Sequence, residues 1–510
     1  MTKILFTILF ILDLLLAGFL GWSIYETHLI PAHLAAIAAA MLVLIPLLLF
    51  LLQREKKGQK KKTGFRVAAI VILLFLGILE GAVSYYIHQY NSKMENVTET
   101  RTQYTQVEIY VKDENRAKTI EYAVESKYVI GVIAGADEDA VSRAREQIEE
   151  QHGRKLMLQS YKSLFDLVRA LDQDQVDAVM ISSAYLDLID NLEGFEGYSQ
   201  KLRSLYSGSV QTEIILQPIS EIPGGEQSEE QPLREPDLWE DSFCAYVSGI
   251  DTFGPVTSRS RSDVNILAIV NTKTKTVLLI STPRDYYVPF NFAPANGAMD
   301  KLTHAGIYGI EGSIRALGDY YGLPVHYYLR VNFSGFIDII NTLGGVDVDS
   351  DADFASGGYS FHKGMNHLNG EAALGFVRNR YSFLEGDRAR GRHQMAVIKG
   401  VINALKSSKV LTNYSELLDE MSGCLQTNAS KAMIGDLVQL TLDRGKGDWV
   451  VLTYSVDGVG REDSAFSLGC YAYVMVPDEN TVQYARDLVM AVVSGETMTQ
   501  EDLQNNAPKG

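Results

Sequence analysis

Five arginines crowd into fifteen residues between 378 and 392, in the stretch GEAALGFVRNRYSFLEGDRARGRHQMAVIKGVIN from Gly370 to Asn403. The chain around them is acidic, with a formal net charge of −17. Arg378 and Arg380 stand two apart, a spacing that puts both guanidinium groups on one face if the segment is extended. Glu385-Gly386-Asp387 predicts a turn. After it Asp387, Arg390, Gln394, Ile398, Val401 and Leu405 repeat every three or four residues, as one helix stripe does. The far end of that stripe is apolar and faces a core, so its near end, Arg390 and Gln394, points inward too. An inward guanidinium needs an anion, because an unpaired buried charge is costly. Its planar fork suits phosphate oxygens. Charge runs also serve as solvated helix starts, here with a bridge to Asp387. The inward stripe favours the phosphate site.

Carboxylates stand at the ends of strand-like runs. CAYVSGI ends at Asp251, VNILAIV begins after Asp263, and TVLLIST leads into Pro283-Arg284-Asp285. Strand ends in mixed α/β sheets aim short loops into one crevice. Asp251 and Asp263 are hard oxygen ligands of the kind magnesium takes when it bridges a protein to substrate phosphates. An isolated aspartate more often caps a turn, so the residues alone leave both readings open. Lys301 in DKLTHA and Arg330 before VNF are weaker phosphate candidates, and His304 reads as structural. G-x-S-x-G, a paired Cys and His, and a Walker loop are all missing. The attacking hydroxyl then belongs to a second substrate.

The elements that hold these residues follow from patterning. Residues 4–25, 29–52 and 67–89 are apolar runs able to cross about 30 Å of hydrocarbon as helices. Between the second and third lies QREKKGQKKKTGFR (53–66), with seven lysines and arginines. Three spans are expected, with this loop in the cytoplasm and everything after residue 90 outside. Residues 1–90 are thus a membrane region. Residues 91–220 form an accessory domain whose alternating strands and helices predict a small parallel sheet, without a catalytic cluster. A proline- and acid-rich linker covers 221–241. The main domain, 242–495, is a mixed β-sheet core flanked by helices. The tail 496–510 lacks an apolar face and is expected to be disordered. The acidic balance excludes nucleic acid as a partner. Three cysteines are too few for a disulfide scaffold, but Cys424 and Cys470 could pair in an oxidising compartment; Cys244 reads as a small core residue.

The block ALGFVRNRYSFLEGDRARGRHQ, with SGID (248–251), RSDVNILAIVN (261–271), STPRDYYVP (281–289), DKLTHAGIYG (300–309) and VNFSGFIDIINTLGGVDV (331–348), resembles the LytR-CpsA-Psr family of cell-envelope phosphotransferases. The likeness spans residues 242 to 480 and is nearest to CpsA-like capsule-assembly members with an accessory domain. The resemblance implies that Asp251 and Asp263 hold Mg²⁺ (Mn²⁺ as a substitute). It implies that Arg261, Arg284, Arg378, Arg380, Arg390 and Gln394 hold a lipid pyrophosphate, and that Asp387 orients them and handles a proton. It also implies a polyprenyl-pyrophosphate-linked capsular or other wall polysaccharide as donor, peptidoglycan as acceptor, and other capsule-assembly proteins as partners. Ile307, Ile310, Leu317, Phe333 and Phe336 are candidate walls for the prenyl tail, with core packing as the alternative for each. A lipid-binding regulator without turnover and a pyrophosphate phosphatase are the competing functions. His393 stands where many family members have arginine or asparagine, and is not needed by this reading.

Overall fold

The computed structural model describes residues 2–26, 32–52, 63–98, 102–214, 239–250, 256–379, 383, 386–405, 424–442 and 448–508. They fall into two compact units. One comprises Met1–Glu99, Tyr414–Ser422 and Ala429–Asp448; the other comprises Thr100–Asn413, Gly423–Asn428 and Trp449–Gly510.

The first unit contains α1 (Thr2–Glu26), α2 (Ala32–Leu52), α3 (Thr63–Val97) and a helix later in the chain, α12 (Lys431–Leu442). Phe6, Ala69, Ile70 and Leu73 pack together inside it, as do Leu20 and Ile24 against Leu42, Val83 and Ile87. Its outward residues are equally apolar: Leu15, Phe75 and Ile78 are 67%, 67% and 71% exposed. Helices apolar on every side belong in a large core or a bilayer. Ile4–Tyr25 and Gly64–Ser92 are long and apolar enough to cross a membrane, whereas the apolar part of α2, Ala36–Leu52, is shorter. Two helices therefore meet the length expected of three. Ile434 of α12 packs on Tyr90 and Met94 of α3, so part of the expected main domain groups with the apolar helices.

Among the described residues, the second unit holds two large sheets, of five and six strands, and four two-stranded ones. In the accessory region β1 (Thr102–Lys112), α4 (Ile120–Glu125), β2 (Val129–Ile133), α5 (Glu138–His152), β3 (Met157–Tyr161), α6 (Leu164–Asp172), β4 (Ala178–Ser182), α7 (Ser183–Ile189) and β5 (Leu202–Glu213) make a sheet in the order β3-β2-β4-β1-β5. Strands β3, β2 and β4 are parallel, as expected. Strands β1 and β5 are not: β1 runs antiparallel to both β4 and β5. The sheet is mixed because β5, LRSLYSGSVQTE, is long and polar and pairs along the whole of β1. Its weak apolar alternation hid it from a reading by pattern.

The main region runs β6 (Ser242–Ile250), β7 (Ser262–Asn271), β8 (Thr276–Ser281), β9 (Tyr287–Phe290), β10 (Ala298–Lys301), a 3₁₀ segment Leu302–Tyr308, α8 (Ile310–Tyr321), β11 (Tyr327–Val331) and α9 (Phe333–Thr342). Then come β12 (Val346–Ser350), β13 (Phe354–Ser356), β14 (Tyr359–Phe361), β15 (Gly364–Leu368), α10 (Gly370–Arg378), α11 (Asp387–Leu405), β16 (Leu425–Thr427), β17 (Val450–Ser455), β18 (Gly458–Ala465), β19 (Cys470–Pro477), α13 (Glu479–Val493) and α14 (Gln500–Asn506). The central sheet has the order β16-β11-β6-β7-β8-β17. Strand β7 is apolar without alternation because both of its faces are covered. Leu267 and Ile269 join a core with α8 and α13, while Ile266, Ala268 and Val270 meet Met395, Ile398 and Ile402 of α11.

Four expectations fail here. The tail is ordered: Thr499 and Asp502 form a capping box for α14, and Leu503, 3% exposed, joins the main core. None of the three cysteines is in a disulfide. Cys424 lies against Gly335 at the start of α9, whereas Cys470 packs on the accessory cluster around Leu468; the fold sends the two to different places. Ile307, Ile310 and Leu317 are core residues, 0%, 2% and 0% exposed, leaving Phe333 and Phe336 half-buried on α9. Leu405, expected at the inward end of the α11 stripe, is 45% exposed. The expected linker, 221–241, lies almost wholly outside the described residues.

Candidate functional site

Strand order decides which charges meet. Strands β7 and β8 are antiparallel, with Ile266 opposite Ser281, so the start of β7 and the end of β8 share one edge of the sheet. Asp263 is the second residue of β7, and Arg284 follows β8 by three. Arg284 Nη1 donates to Asp263 Oδ2 at 2.5 Å. Thr303, at the start of the 3₁₀ segment, donates its hydroxyl to Asp263 Oδ1 at 3.1 Å. That segment comes close because residue 306 is glycine: a Cβ there would stand 2.4 Å from the Ser260 carbonyl oxygen.

Helix α11 reaches the same edge from the other face of the sheet. A Cβ at Gly391 would lie 2.4 Å from Ser281 Oγ, so glycine lets the first turn sit on the end of β8. Arg390, 6% exposed, then directs Nη2 toward the Asp263 carbonyl at 3.4 Å. Gln394, one turn further along this face, is 8% exposed. The inward register expected for Arg390 and Gln394 is the one observed. Burial pushes the Asp263 carboxyl up, but the Arg284, Arg390 and Arg261 guanidiniums outweigh it and hold the group below the usual carboxylate range. Asp263 is therefore ionised at neutral pH, among three cations.

A second acid extends the cluster. Asp285 Oδ1 stands 3.7 Å from Lys301 Nζ, and its Oδ2 stands 3.8 Å from Arg284 Nε. Lys301 is fixed in turn by a buried brace: Asp300 accepts from the Lys301 and Ser467 amides and meets His304 Nδ1 at 2.7 Å. His304 is thus structural, as its sequence context suggested. Thr303, Asp285 and the Asp300–His304 brace are absent from the expected site. The four-residue spacing of Asp300 and His304 was a signal; for Thr303 only its place beside His304 pointed that way.

Other expected members sit elsewhere. Residues 370–378 are helical rather than extended, because Asn369 caps the helix by accepting from Ala372 N. Arg378 ends that helix exposed, its guanidinium 4.6 Å from the Phe333 ring centre. Arg330 is 1% exposed and donates Nη2 to the Ser258 carbonyl at 2.8 Å; burial depresses its pKa to about 10. Arg388 pairs with Asp457, and Arg392 with Asp351 at 3.0 Å. His393 is buried against Phe354, Phe376 and Phe383, and burial lowers its pKa. Asp251 and Arg380 lie outside the described residues, as does the side chain of Asp387. Ile250, directly before Asp251, pairs with Ser262, directly before Asp263.

No group of three or more His, Cys, Asp or Glu side chains able to hold a metal occurs among the described residues. Asp263 fits a hard cation in a different mode. It is ionised, and a carboxylate offers about four lone-pair positions, of which Arg284 and Thr303 use two. A magnesium ion sharing Asp263 with substrate phosphates matches that donor set.

The LytR_cpsA_psr family model matches residues 224–482. A relative in Enterococcus faecalis, polyisoprenyl-teichoic acid–peptidoglycan teichoic acid transferase TagU, is 34% identical over 204 residues, which are 39% of this chain and 65% of that protein. The Bacillus cereus protein of the same name is 30% identical over 236 residues, 46% of this chain and 75% of its own length. The crystal structure of B. subtilis TagV aligns at 26% identity, covering 51% of this chain and all of that one, with a TM-score of 0.42. The match takes in every element that builds the Asp263 edge and more than half of the chain's length, and the chain belongs to the LytR_cpsA_psr family.

Proposed function

We propose that this protein transfers a glycopolymer from a polyprenyl-pyrophosphate carrier to a hydroxyl of peptidoglycan. One observation carries the reading: Arg284 pairs with the Asp263 carboxylate, Arg390 reaches the Asp263 carbonyl, Arg261 lies within Coulombic range and Lys301 stands near Asp285, so four cations meet two acids at one sheet edge and leave a surplus of positive charge. A pyrophosphate diester matches that surplus. The names of the teichoic acid transferases to which the chain is similar supply the reaction type.

In this reading the guanidiniums fork onto the phosphate oxygens and neutralise charge as it shifts toward the leaving phosphate, the usual protein contribution to phosphoryl transfer. Asp263 holds Arg284 in place for that task. Gln394 and Lys301 border the anion, and Arg378 and Arg380 are its remaining proposed contacts. Asp387 takes the proton of the incoming acceptor hydroxyl as that oxygen bonds to the sugar-linked phosphorus and the lipid phosphate leaves. Asp263 and Asp251 would hold a magnesium ion, which would supply further charge neutralisation. The half-buried Phe333 and Phe336 of α9 receive the prenyl chain. The polymer is a capsular or other wall polysaccharide. Three N-terminal spans anchor the protein, with the basic loop 53–66 inside and residues 91–510 outside, where lipid-linked donor and wall acceptor meet.

Full-length protein incubated with radiolabelled lipid-linked donor, peptidoglycan and magnesium tests this. Label on the sacculus is expected. Bound but unconverted lipid would favour a regulator, and release of soluble polymer phosphate, with water in place of the acceptor hydroxyl, would favour a phosphatase; either result overturns transfer.

A further inference from the structure

The helices of the first unit carry two carboxylates that the transfer reaction does not use. Asp13 lies near the middle of the apolar run of α1 and Glu80 near the middle of that of α3. Both are turned inward: Asp13 is 2% exposed and Glu80 is 0% exposed. None of their four carboxylate oxygens has a hydrogen-bond partner. Glu80 lies within Coulombic range of Asp13. A Cβ at Gly77, one turn before Glu80, would lie 3.5 Å from Asp13 Oδ1, so the Asp13 carboxylate rests on the backbone of α3 where a larger residue would crowd it.

Among the described residues, the neighbouring groups supply no counterion. On α1 the other described side chains near Asp13 are apolar, and α2 presents no described charged side chain. On α3 the described cation toward the N-terminus is Arg66, fourteen residues from Glu80 and roughly 21 Å along the axis at the helical rise. Tyr85, Tyr86 and His88 lie beyond Glu80 on α3, and Tyr85 and Tyr86 are exposed. Lys431 and Asp436 belong to α12, which packs at Tyr90 and Met94, roughly 15 Å or more further on. Ser84, one turn after Glu80, is the nearest neutral donor by helical spacing, and its hydroxyl too is buried without a partner.

Two ionised carboxylates cannot share such a place. Each would bear the cost of desolvation and the repulsion of the other, and neither cost is met by a cation. One proton removes both difficulties, since a carboxylic acid facing a carboxylate forms a charge-assisted O–H···O⁻ hydrogen bond. Ionisable residues at this depth in apolar helices are rare and mark ion or proton sites. We propose that Asp13 and Glu80 form a proton-binding site inside the apolar helix bundle, holding one proton between them and tying the packing of α1 against α3 to its occupancy.

The test uses the full-length chain in lipid nanodiscs and an apolar carbodiimide, which adds covalently to protonated carboxyl groups at membrane depth. Mass mapping should find one adduct per chain, on Asp13 or Glu80, with labelling that declines as the pH is raised. In Asp13→Asn the remaining carboxyl loses its like-charged neighbour and gains an amide donor. Its midpoint should fall by at least about one pH unit, so labelling at neutral pH should fall about tenfold. Infrared spectroscopy of the wild-type chain should show a protonated-carboxyl band that Glu80→Gln and Asp13→Asn each remove or shift. That reading stands even if a variant fails to assemble. No adduct at any pH, or labelling of Glu80 indifferent to Asp13→Asn in an assembled variant, would overturn the shared proton. Suppression of labelling by Na⁺ at constant pH would also overturn it, by making a metal cation the occupant.

Discussion

The main and accessory sheets are made of similar material and spend it differently. Each is a mixed sheet with helices on both faces. In the accessory region the buried polar residues among those described are neutral: Gln103, Thr105 and Ser182. Its Asp137 is the exception, a carboxylate whose side chain is 3% exposed and which pairs with Arg259 of the main region. The main region instead buries Asp300, Arg330 and Arg390 outright and half-buries Asp263, Arg261 and Arg284 at one edge. Buried charge is expensive, and the accessory sheet confines it to one carboxylate paired across to the main region, whereas the main sheet gathers several charges at one edge. The edge at Asp263 therefore has a use that stability does not explain.

The largest expected effect separates the two sheets directly. Asp263→Ala leaves the converging guanidiniums without their carboxylate, and transfer should drop by at least about a hundredfold, the loss of two buried charge-assisted contacts. Leu167, 0% exposed in the accessory core, is the counterpart. Leu167→Ala should cost about 2–5 kcal/mol of stability while donor affinity of the folded protein stays unchanged. Thermal denaturation and isothermal titration with a soluble prenyl pyrophosphate measure the two quantities. A donor-affinity loss in Leu167→Ala would break the division of labour.

The next effect lies within α11. Arg390→Ala should weaken prenyl-pyrophosphate binding roughly tenfold to a hundredfold, and Arg390→Lys should not restore it, because a point charge cannot replace the fork. Arg388 faces Asp457 with its side chain 35% exposed, so Arg388→Ala should stay within about fivefold, the scale of an exposed ion pair. Equal losses at both positions would mean that charge in general, rather than the Asp263 edge, attracts the donor.

A smaller effect is read from pH. The Asp263 carboxyl is held low in the folded state, so its contribution to stability is present in full above the unfolded value of about 3.9 and is lost as the pH falls through the lower folded value. The difference in Tm between wild type and Asp263→Asn should be constant from neutral pH to about 5 and shrink on further acidification. A difference that grows on acidification would mean that Asp263 is protonated in the folded protein.

Much of this edge was legible because a short-range rule and a local motif agreed. The 387–405 helix and its inward Arg390 followed from spacing, since Ile398 and Val401 demanded one face. Asp263 and Arg284 stood out as charges flanking uninterrupted apolar runs. What escaped depended on long-range pairing. Nothing in LRSLYSGSVQTE announces that it lies along β1. Arg378 looked extended beside Arg380, but the Asn369 cap and the apolar Ala373, Phe376 and Val377 made a helix, and the side chain ended on Phe333. The closing α14 is too short to show a periodicity; its Thr499 and Asp502 capping pair was the only mark it left.

The smallest expected effect concerns the cysteines, and it tests whether β16 is tied covalently to β19, the strand beside the accessory cluster. A bridge between Cys424 and Cys470 would close a loop of forty-odd residues and should contribute roughly 3–4 kcal/mol on the chain-entropy model. The fold argues against it. Cys424 leads into β16 against the first turn of α9, whereas Cys470 opens β19 beside the accessory cluster. Burial pushes the Cys470 thiol up, as it does more strongly for Cys244, and a suppressed thiolate reacts slowly. Alkylation of the unreduced, folded protein should therefore modify Cys470 slowly and Cys244 only on unfolding. Unfolding in alkylating agent without reductant should give three adducts, and Cys424→Ser with Cys470→Ser should shift stability by less than about 1 kcal/mol. A single adduct, together with a several-degree loss of Tm in the double variant, would show a bridge and require β16 and β19 to lie closer than this structure places them.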